Sequence, residues 1–389
     1  MLLGPRQTGK TTLLTRFRAD LHVQLIQPNI RQRYEREPSL LDGEVRALTA
    51  GSRRPRPLVI VDEIQKVPLL LDVVQALIDD RIAQFILTGS SARKLRRSGA
   101  LNLLPGRVVS LRLDPLSYAE HPQSDLETLL VYGSLPAIVQ TATAADREID
   151  LQSYMETYLE EEVRSEALVR NIGTFMRFLE YAGLESGNIV NYHKLAQELG
   201  INHTTIAAYY EVLADCLIAE RIDPLTRSVT RKKLTKSSRY VLFDLGVRRC
   251  CAQEGPKVGK ARLGSLFEQY VGLELIRAAR QTGTSAQIRF WRDPDGPEVD
   301  WVIERQRQLI PLEVKWTDTP RAQDIRHLQT FLSEYPEATT GYVVCRSPHP
   351  VQLTPQIRAI PWQDVGRLLI ERFPPAAHRQ RHRRHVTPT

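Results

Sequence analysis

The sequence lacks any long apolar run. None approaches the roughly 20 residues that span a bilayer, so no membrane segment is expected. Its first apolar stretch ends at Gly4, which is not the layout of a signal peptide. Cysteine is scarce as well: Cys216, Cys250, Cys251 and Cys345 form no C-x-x-C pair. That excludes a disulfide framework and a thiolate zinc module, and reads as a reduced, cytoplasmic chain. Excess charge of one sign is modest. A net charge of +8 over 389 residues suggests an anionic partner such as nucleic acid without demanding one. What is present, 42% hydrophobic and 25% charged residues, supplies sizeable cores for about two to four domains.

The opening residues carry the first motif. Gly4, Pro5, Arg6, Gln7, Thr8, Gly9, Lys10 and Thr11 fit G-x-x-x-x-G-K-[ST], followed by Thr12. Such a loop needs glycines because backbone N–H groups must converge on phosphates, where a Cβ would obstruct. Lys10 is then expected to reach the β- and γ-phosphates of ATP, and the Thr11 hydroxyl to bind Mg²⁺. The loop should leave a buried parallel strand, yet only Met1-Leu2-Leu3 precedes it. A central strand this short is expected to leave backbone groups poorly covered and to weaken nucleotide binding.

Two further elements follow in order. Leu58-Val59-Ile60-Val61 reads as a strand buried on both faces, and it ends in Asp62-Glu63. Asp62 is placed to hold Mg²⁺ and Glu63 to polarise the attacking water. Phe85-Ile86-Leu87 leads to Thr88-Gly89-Ser90-Ser91, where the hydroxyls of Thr88 and Ser90 could sense the γ-phosphate beside Glu63. Val108-Val109-Ser110-Leu111 reads as a further strand, and residues 11–17 as the helix after the loop.

The middle of the chain turns helical and charged, with a glutamate cluster at residues 154–166. Residues 194–213 match a helix–turn–helix layout: Ala196 where helices touch, Gly200 at the turn, Asn202 as N-cap. Ile201, Ile206 and Leu213 point to its core, leaving His203, Thr204, Thr205 and Tyr209 to face a groove. A basic hairpin is expected over residues 227–241, and its stretch 227–236 would be a wing touching DNA phosphates. The alternative is a winged helix that only packs on its neighbours, since the second helix carries no Arg or Lys.

The C-terminal part returns to α/β. A helix is expected over 264–280, strands at 287–292, 298–304, 309–315 and 341–345, and a helix over 322–334. Asp300, then Glu313 and Lys315, form D-x(n)-E-x-K on two adjacent strands. Period-two alternation puts Glu313 and Lys315 on one face. Two carboxylates can hold a divalent metal, the lysine can orient or activate water, and Glu268 on the preceding helix can complete the set. The alternative is a surface Glu–Lys pair beside an exposed Asp. Residues 376–389 form a basic tail without apolar periodicity, expected to be disordered.

Taken together, "GPRQTGKTTL", "VIVDEIQKVP", "FILTGSSARKL", "LPGRVVSLRLDPLSYAE", "LFEQYVGLEL" and "EVDWVIERQRQLIPLEVKW" resemble the AAA-type ATPases of bacteria and archaea that carry a C-terminal domain of unknown function. The D-x(n)-E-x-K set resembles the restriction-endonuclease-like nucleases. The resemblance implies an α/β chain in four parts: a P-loop AAA-type parallel-sheet domain (1–140), a helical and winged-helix domain (141–245), a nuclease-like domain (246–375) and the tail (376–389). It assigns Lys10, Thr11, Asp62, Glu63, Thr88 and Ser90 the roles given above. It makes Arg107 either an arginine finger, completing its own or a neighbour's site in a homo-oligomer, or a strand-leading salt-bridge residue; Arg93 is the other finger candidate. The function implied is an Mg²⁺-dependent ATPase coupled to DNA-facing and nuclease-like domains. The alternative is a nucleotide-switched binding protein whose nuclease-like domain is inactive.

Overall fold

The computed structural model describes residues 1–51, 56–90, 108–159, 171–227, 234–283, 285–293 and 296–373. Arg93, Arg107, part of the glutamate cluster, residues 228–233 of the expected wing and the basic tail lie outside the described residues.

The N-terminal part is built on a parallel sheet of β1 (Leu2–Leu3), β2 (Leu21–Gln24), β3 (Leu58–Asp62), β4 (Gln84–Gly89) and β5 (Leu111–Arg112), in the order β2-β3-β4-β1-β5. The apolar run of β3 is explained by its place: Val59 to Asp62 are buried, with Val59 and Val61 in one cluster with Leu70, Leu71, Val74 and Leu77 of the helix Leu70–Asp79. Two expectations need correction. Although β1 has two residues, its backbone is covered, because it runs between β4 and β5. Leu111 N donates to Met1 O at 2.8 Å, Leu113 N to Leu3 O at 2.8 Å and Gly4 N to Gly89 O at 3.2 Å. The strand read at residues 108–111 starts later, at Leu111, with Val109 74% exposed. The helix after the loop is also shorter than expected, Lys10–Leu14.

In the middle part, the helices Tyr192–Leu199 and His203–Asp215 meet at Gly200, whose φ of 67° makes the turn. Asn202 caps the second helix by accepting from Thr204 N at 2.9 Å. The groove-facing role of Tyr209 is overturned. Its ring centroid lies 4.9 Å from that of Phe175 and 5.2 Å from that of Phe178, inside the core. Only one flank of that helix stays in solvent, and it carries His203 and Thr204.

One strand of the expected hairpin is found where its residues placed it. Its expected second strand is present as β7 (Arg239–Leu242), which pairs antiparallel with β6 (Ala219–Ile222), while the expected first strand, residues 228–230, lies outside the described residues. The connection between them is not a free wing at its described ends. Leu225 N donates to Phe290 O at 2.7 Å and Thr235 N to Arg292 O at 3.2 Å, occupying the open edge of β8 (Gln287–Arg292). An unpaired sheet edge holds backbone groups that need partners, and this connection supplies some of them.

The C-terminal sheet adds β9 (Glu298–Arg305), β10 (Gln308–Val314), β11 (Gly341–Cys345), β12 (Val351–Thr354) and β13 (Ile357–Pro361), in the order β12-β13-β11-β10-β9-β8. The helix Lys260–Gln281 covers one face, with Phe267, Val271 and Leu275 in a cluster with Trp301, Ile303 and Leu312. The helix Arg326–Glu334 covers the other, and its Phe331 meets Trp291 edge-on at 5.3 Å.

A buried charge cluster ties the three parts. Glu220 of β6 pairs with Arg112 of β5 and with Arg280 at the end of the helix Lys260–Gln281, at 2.6 Å to the latter. Asp114 joins it, 3.1 Å from Arg112 and 2.8 Å from Arg280. Burial raises the pKa of Glu220, but Arg112 and Arg280 override it and hold the carboxyl at about 2. Its stabilising charge is present above the ordinary carboxylate range and is lost as pH falls toward 2. Glu220→Gln strands two buried guanidinium groups, so it should destabilise the protein by about 3 kcal/mol at pH 7. Thermal unfolding measures this, and an unchanged melting temperature would show the cluster to be energetically idle.

Candidate functional site

The parallel register brings the carboxyl ends of β1, β4 and β3 to one edge, where Leu3 pairs with Gly89 and Val61 with Leu87. The loop after β1 turns on itself: Thr8 Oγ1 donates to Pro5 O at 2.9 Å. Gly9 has a φ of 90°, and no atom stands within 4 Å of where a Cβ would project, so a cradle lies open there. Gln7 shares the left-handed conformation at φ 61°. Gly4 is needed for a different reason: a Cβ there would sit 2.3 Å from Leu113 O. Lys10, 6% exposed, sends Nζ back to Gly4 O and Pro5 O at 2.7 Å each, which places its charge inside the loop. Thr12 is exposed beyond it.

Thr11 Oγ1 lies 3.3 Å from Asp62 Oδ2, so a hydroxyl and a carboxylate from different elements meet at the loop. These are hard oxygen donors of the kind Mg²⁺ takes, and they fit the expected ion. Thr88 Oγ1 donates to Asp62 Oδ1 and accepts from Glu63 N at 3.1 Å. Glu63 is held at φ 61°, ψ 48°, a left-handed conformation that costs a non-glycine residue about 1 kcal/mol or more. Ser90 Oγ donates to Glu63 Oε2 at 3.2 Å. The structure therefore gathers Lys10, Thr11, Asp62, Glu63, Thr88 and Ser90, as their spacing predicts. It adds Gln65, whose Nε2 donates to Glu63 Oε2 and, at 3.0 Å, to Ser90 Oγ. No periodicity marks Gln65, because it lies past the strand in a short 3₁₀ turn, Ile64–Lys66.

The second cluster lies where β9, β10 and the helix Lys260–Gln281 meet. Leu312 pairs with Trp301, which sets Glu313 beside Asp300, and Asp300 Oδ2 accepts from Val314 N at 2.7 Å. Lys315 Nζ donates to Glu313 Oε1 at 2.7 Å, while Glu313 Oε2 is buried without a partner. Glu268 accepts at 2.7 Å from Arg239 of β7, the second strand of the expected hairpin. Arg239 is 5% exposed, its guanidinium 4.2 Å from the Phe290 ring centroid. Burial, with Asp300 adding repulsion, pushes Glu268 up to about 7 and Glu313 up to about 8. Burial raises Asp300 too. Lys315 is raised, because Glu313 outweighs the burial that would discharge it. Among the described residues no three His, Cys, Asp or Glu side chains stand ready to hold a metal ion. Glu268 and Glu313 are engaged by Arg239 and Lys315.

Raised carboxyl pKa values make the folded state bind more protons than the unfolded one between about pH 4.5 and 8. Stability from this site is therefore greatest at the acid end of that window and falls as pH rises. Glu313→Gln should stabilise by about 1 kcal/mol or more at pH 8 and be close to neutral at pH 5. Unfolding followed at both values checks this; equal effects at both would refute it.

Known family models match three parts of the chain. Residues 1–121 match the family model of an AAA domain, residues 123–257 a domain of unknown function (DUF8612) and residues 263–365 another (DUF4143). Uncharacterized proteins of Mycobacterium bovis and Mycobacterium tuberculosis are each 25% identical over 332 residues, covering 82% of this chain and 70% of the relative. A crystal structure of a Vibrio cholerae protein is 12% identical at a TM-score of 0.21, covering 90% of this chain and 96% of that one. Among the described residues, no helix is long and apolar enough to cross a membrane. The N-terminal 121 residues thus match an AAA domain and residues 263–365 a domain of unknown function, which supports an AAA-type ATPase relationship.

Proposed function

We propose that this protein binds and hydrolyses ATP with Mg²⁺, and couples that cycle to a helix–turn–helix part and a nuclease-like part. The observation that carries the reading is the meeting of Thr11, Asp62, Glu63, Thr88 and Ser90 at one strand edge. When bound, Mg²⁺ supplies positive charge against the phosphate oxygens, and Thr11 and Asp62 would hold it. Lys10 swings from the Gly4 and Pro5 carbonyls to the phosphates. Asp62 keeps its orientation through Thr88. Glu63 takes the proton of the attacking water, and Ser90 holds its carboxylate. The parts proposed are 1–140, 141–245 and 246–375.

A route for coupling is supported by contact. Gly4 abuts Leu113, whose neighbours Arg112 and Asp114 pair with Glu220 and Arg280. Arg280 ends the same helix that carries Glu268. A loop displaced by nucleotide would press on that chain of contacts.

One observation favours the second reading, a nucleotide-switched binding protein with an inactive nuclease-like part. Arg239 and Lys315 already engage Glu268 and Glu313. Two experiments separate them. Lys10→Ala should cut ATP turnover by about 100-fold, since it removes the charge aimed at the phosphates. Unchanged turnover would sink the nucleotide assignment. Cleavage of DNA with Mg²⁺ or Mn²⁺ should be lost in Asp300→Ala if the acidic cluster is catalytic. Equal cleavage by the variant, or none by the parent, removes the nuclease claim and leaves the switch.

A further inference from the structure

We infer that Gln65 is a positioning residue for the hydrolytic step, holding the Glu63 carboxylate so that one oxygen stays free for water. This rests on the ATPase reading above and deepens it. Three observations meet at this side chain. First, the two donors that reach Glu63 converge on a single oxygen. Gln65 Nε2 and Ser90 Oγ both donate to Oε2, the latter at 3.2 Å, and no described residue donates to Oε1. Second, Gln65 is 7% exposed, and its Oε1 is buried without a hydrogen-bond partner. Leaving a buried acceptor so is costly, and a side chain kept only for packing would not incur that cost. Third, the amide is fixed from behind. A Cβ on residue 89 would approach Gln65 Oε1 to 2.8 Å, so the side chain lies against Gly89, between β4 and the turn.

The arrangement separates the two carboxylate oxygens by task. Oε2 is anchored to the ends of β3 and β4 through Gln65 and Ser90. Oε1 then takes a proton from the water as that water's oxygen bonds to the γ-phosphorus. The bond from that phosphorus to the β–γ bridging oxygen breaks, and its electron pair leaves with ADP. The left-handed backbone of Glu63 fits this account: it turns the carboxylate back toward the strand ends, where the clamp can reach it. Gln65 and Ser90 both hydrogen-bond to Glu63 and Gln65 to Ser90, so the clamp should act on the chemical step and leave nucleotide affinity alone.

Turnover and equilibrium ATP binding are measured for the parent, Gln65→Ala, Gln65→Glu and Lys10→Ala. Gln65→Ala should lower kcat by about 10- to 100-fold, with ATP affinity within about threefold of the parent, because a general base has lost its orientation but not its charge. Gln65→Glu keeps the size of the side chain and sets a second carboxylate against Glu63. It should lower kcat at least as far as Gln65→Ala, with ATP affinity again within about threefold of the parent, because repulsion turns the Glu63 carboxylate out of its clamped orientation. A merely structural glutamine would not separate kcat from affinity in this way. Turnover of either Gln65 variant within twofold of the parent overturns the assignment. If Lys10→Ala abolishes turnover while both Gln65 variants match the parent, only the role of Gln65 fails. If the parent does not turn over ATP, or Lys10→Ala turns it over equally, the ATPase reading fails and takes this one with it.

Discussion

The proposed nucleotide site depends on one constraint: three parallel strands must end level with one another. β4 lies between β1 and β3, so the loop after β1 and the acids after β3 stand on either side of Thr88. Parallel strands impose this, because their carboxyl ends gather at one edge of the sheet. Everything polar at the site follows from that edge. Asp62 turns one oxygen to Thr11 and the other to Thr88. Glu63 N reaches the same Thr88 hydroxyl. A shift of one residue in the pairing of β3 and β4 would separate these groups and turn their side chains to the opposite face.

Electrostatics sets the second pattern. The Glu220 cluster and the Glu268–Asp300–Glu313 cluster are both buried, yet they behave oppositely. Two guanidinium groups beside Glu220 overcome its burial and keep it charged. At Glu268 and Glu313 burial prevails despite Arg239 and Lys315, because carboxylates also face one another. Buried ion pairs gain from attraction only when it exceeds desolvation, and like charges nearby tip the balance. One cluster is thus suited to holding parts together, the other to responding to protons.

Legibility in the sequence tracked how local the cause was. The run Leu58-Val59-Ile60-Val61 announced a buried strand, and β8 and β11 occupy the residues expected of them. The capping of Asn202 and the turn at Gly200 were legible because each is decided within a few residues. Tyr209 was not, since apolar faces on both flanks of its helix left the aromatic free to be assigned to either; Phe175 and Phe178, more than thirty positions earlier, claimed it. The second strand of the basic hairpin was legible too, as β7, but the partners of its Arg239 were not. Glu268 and the aromatic faces it meets lie far along the chain, and the described ends of the connection between β6 and β7 pair with the edge of β8.

The sequence by itself determined which residues make up the proposed nucleotide site. Gly9, Lys10, Thr11, Asp62 and Glu63 fall into a phosphate loop and a strand-end acid pair, which are short motifs with fixed local geometry. The tertiary structure alone decided how those groups are held and joined to the rest. Gln65 reaches Glu63 only because the chain turns sharply after β3, and Glu220 meets Arg112 and Arg280 from positions 108 and 60 residues away. Contacts of that range depend on which strand ends and helix ends the fold brings together, and no periodicity in a chain records them.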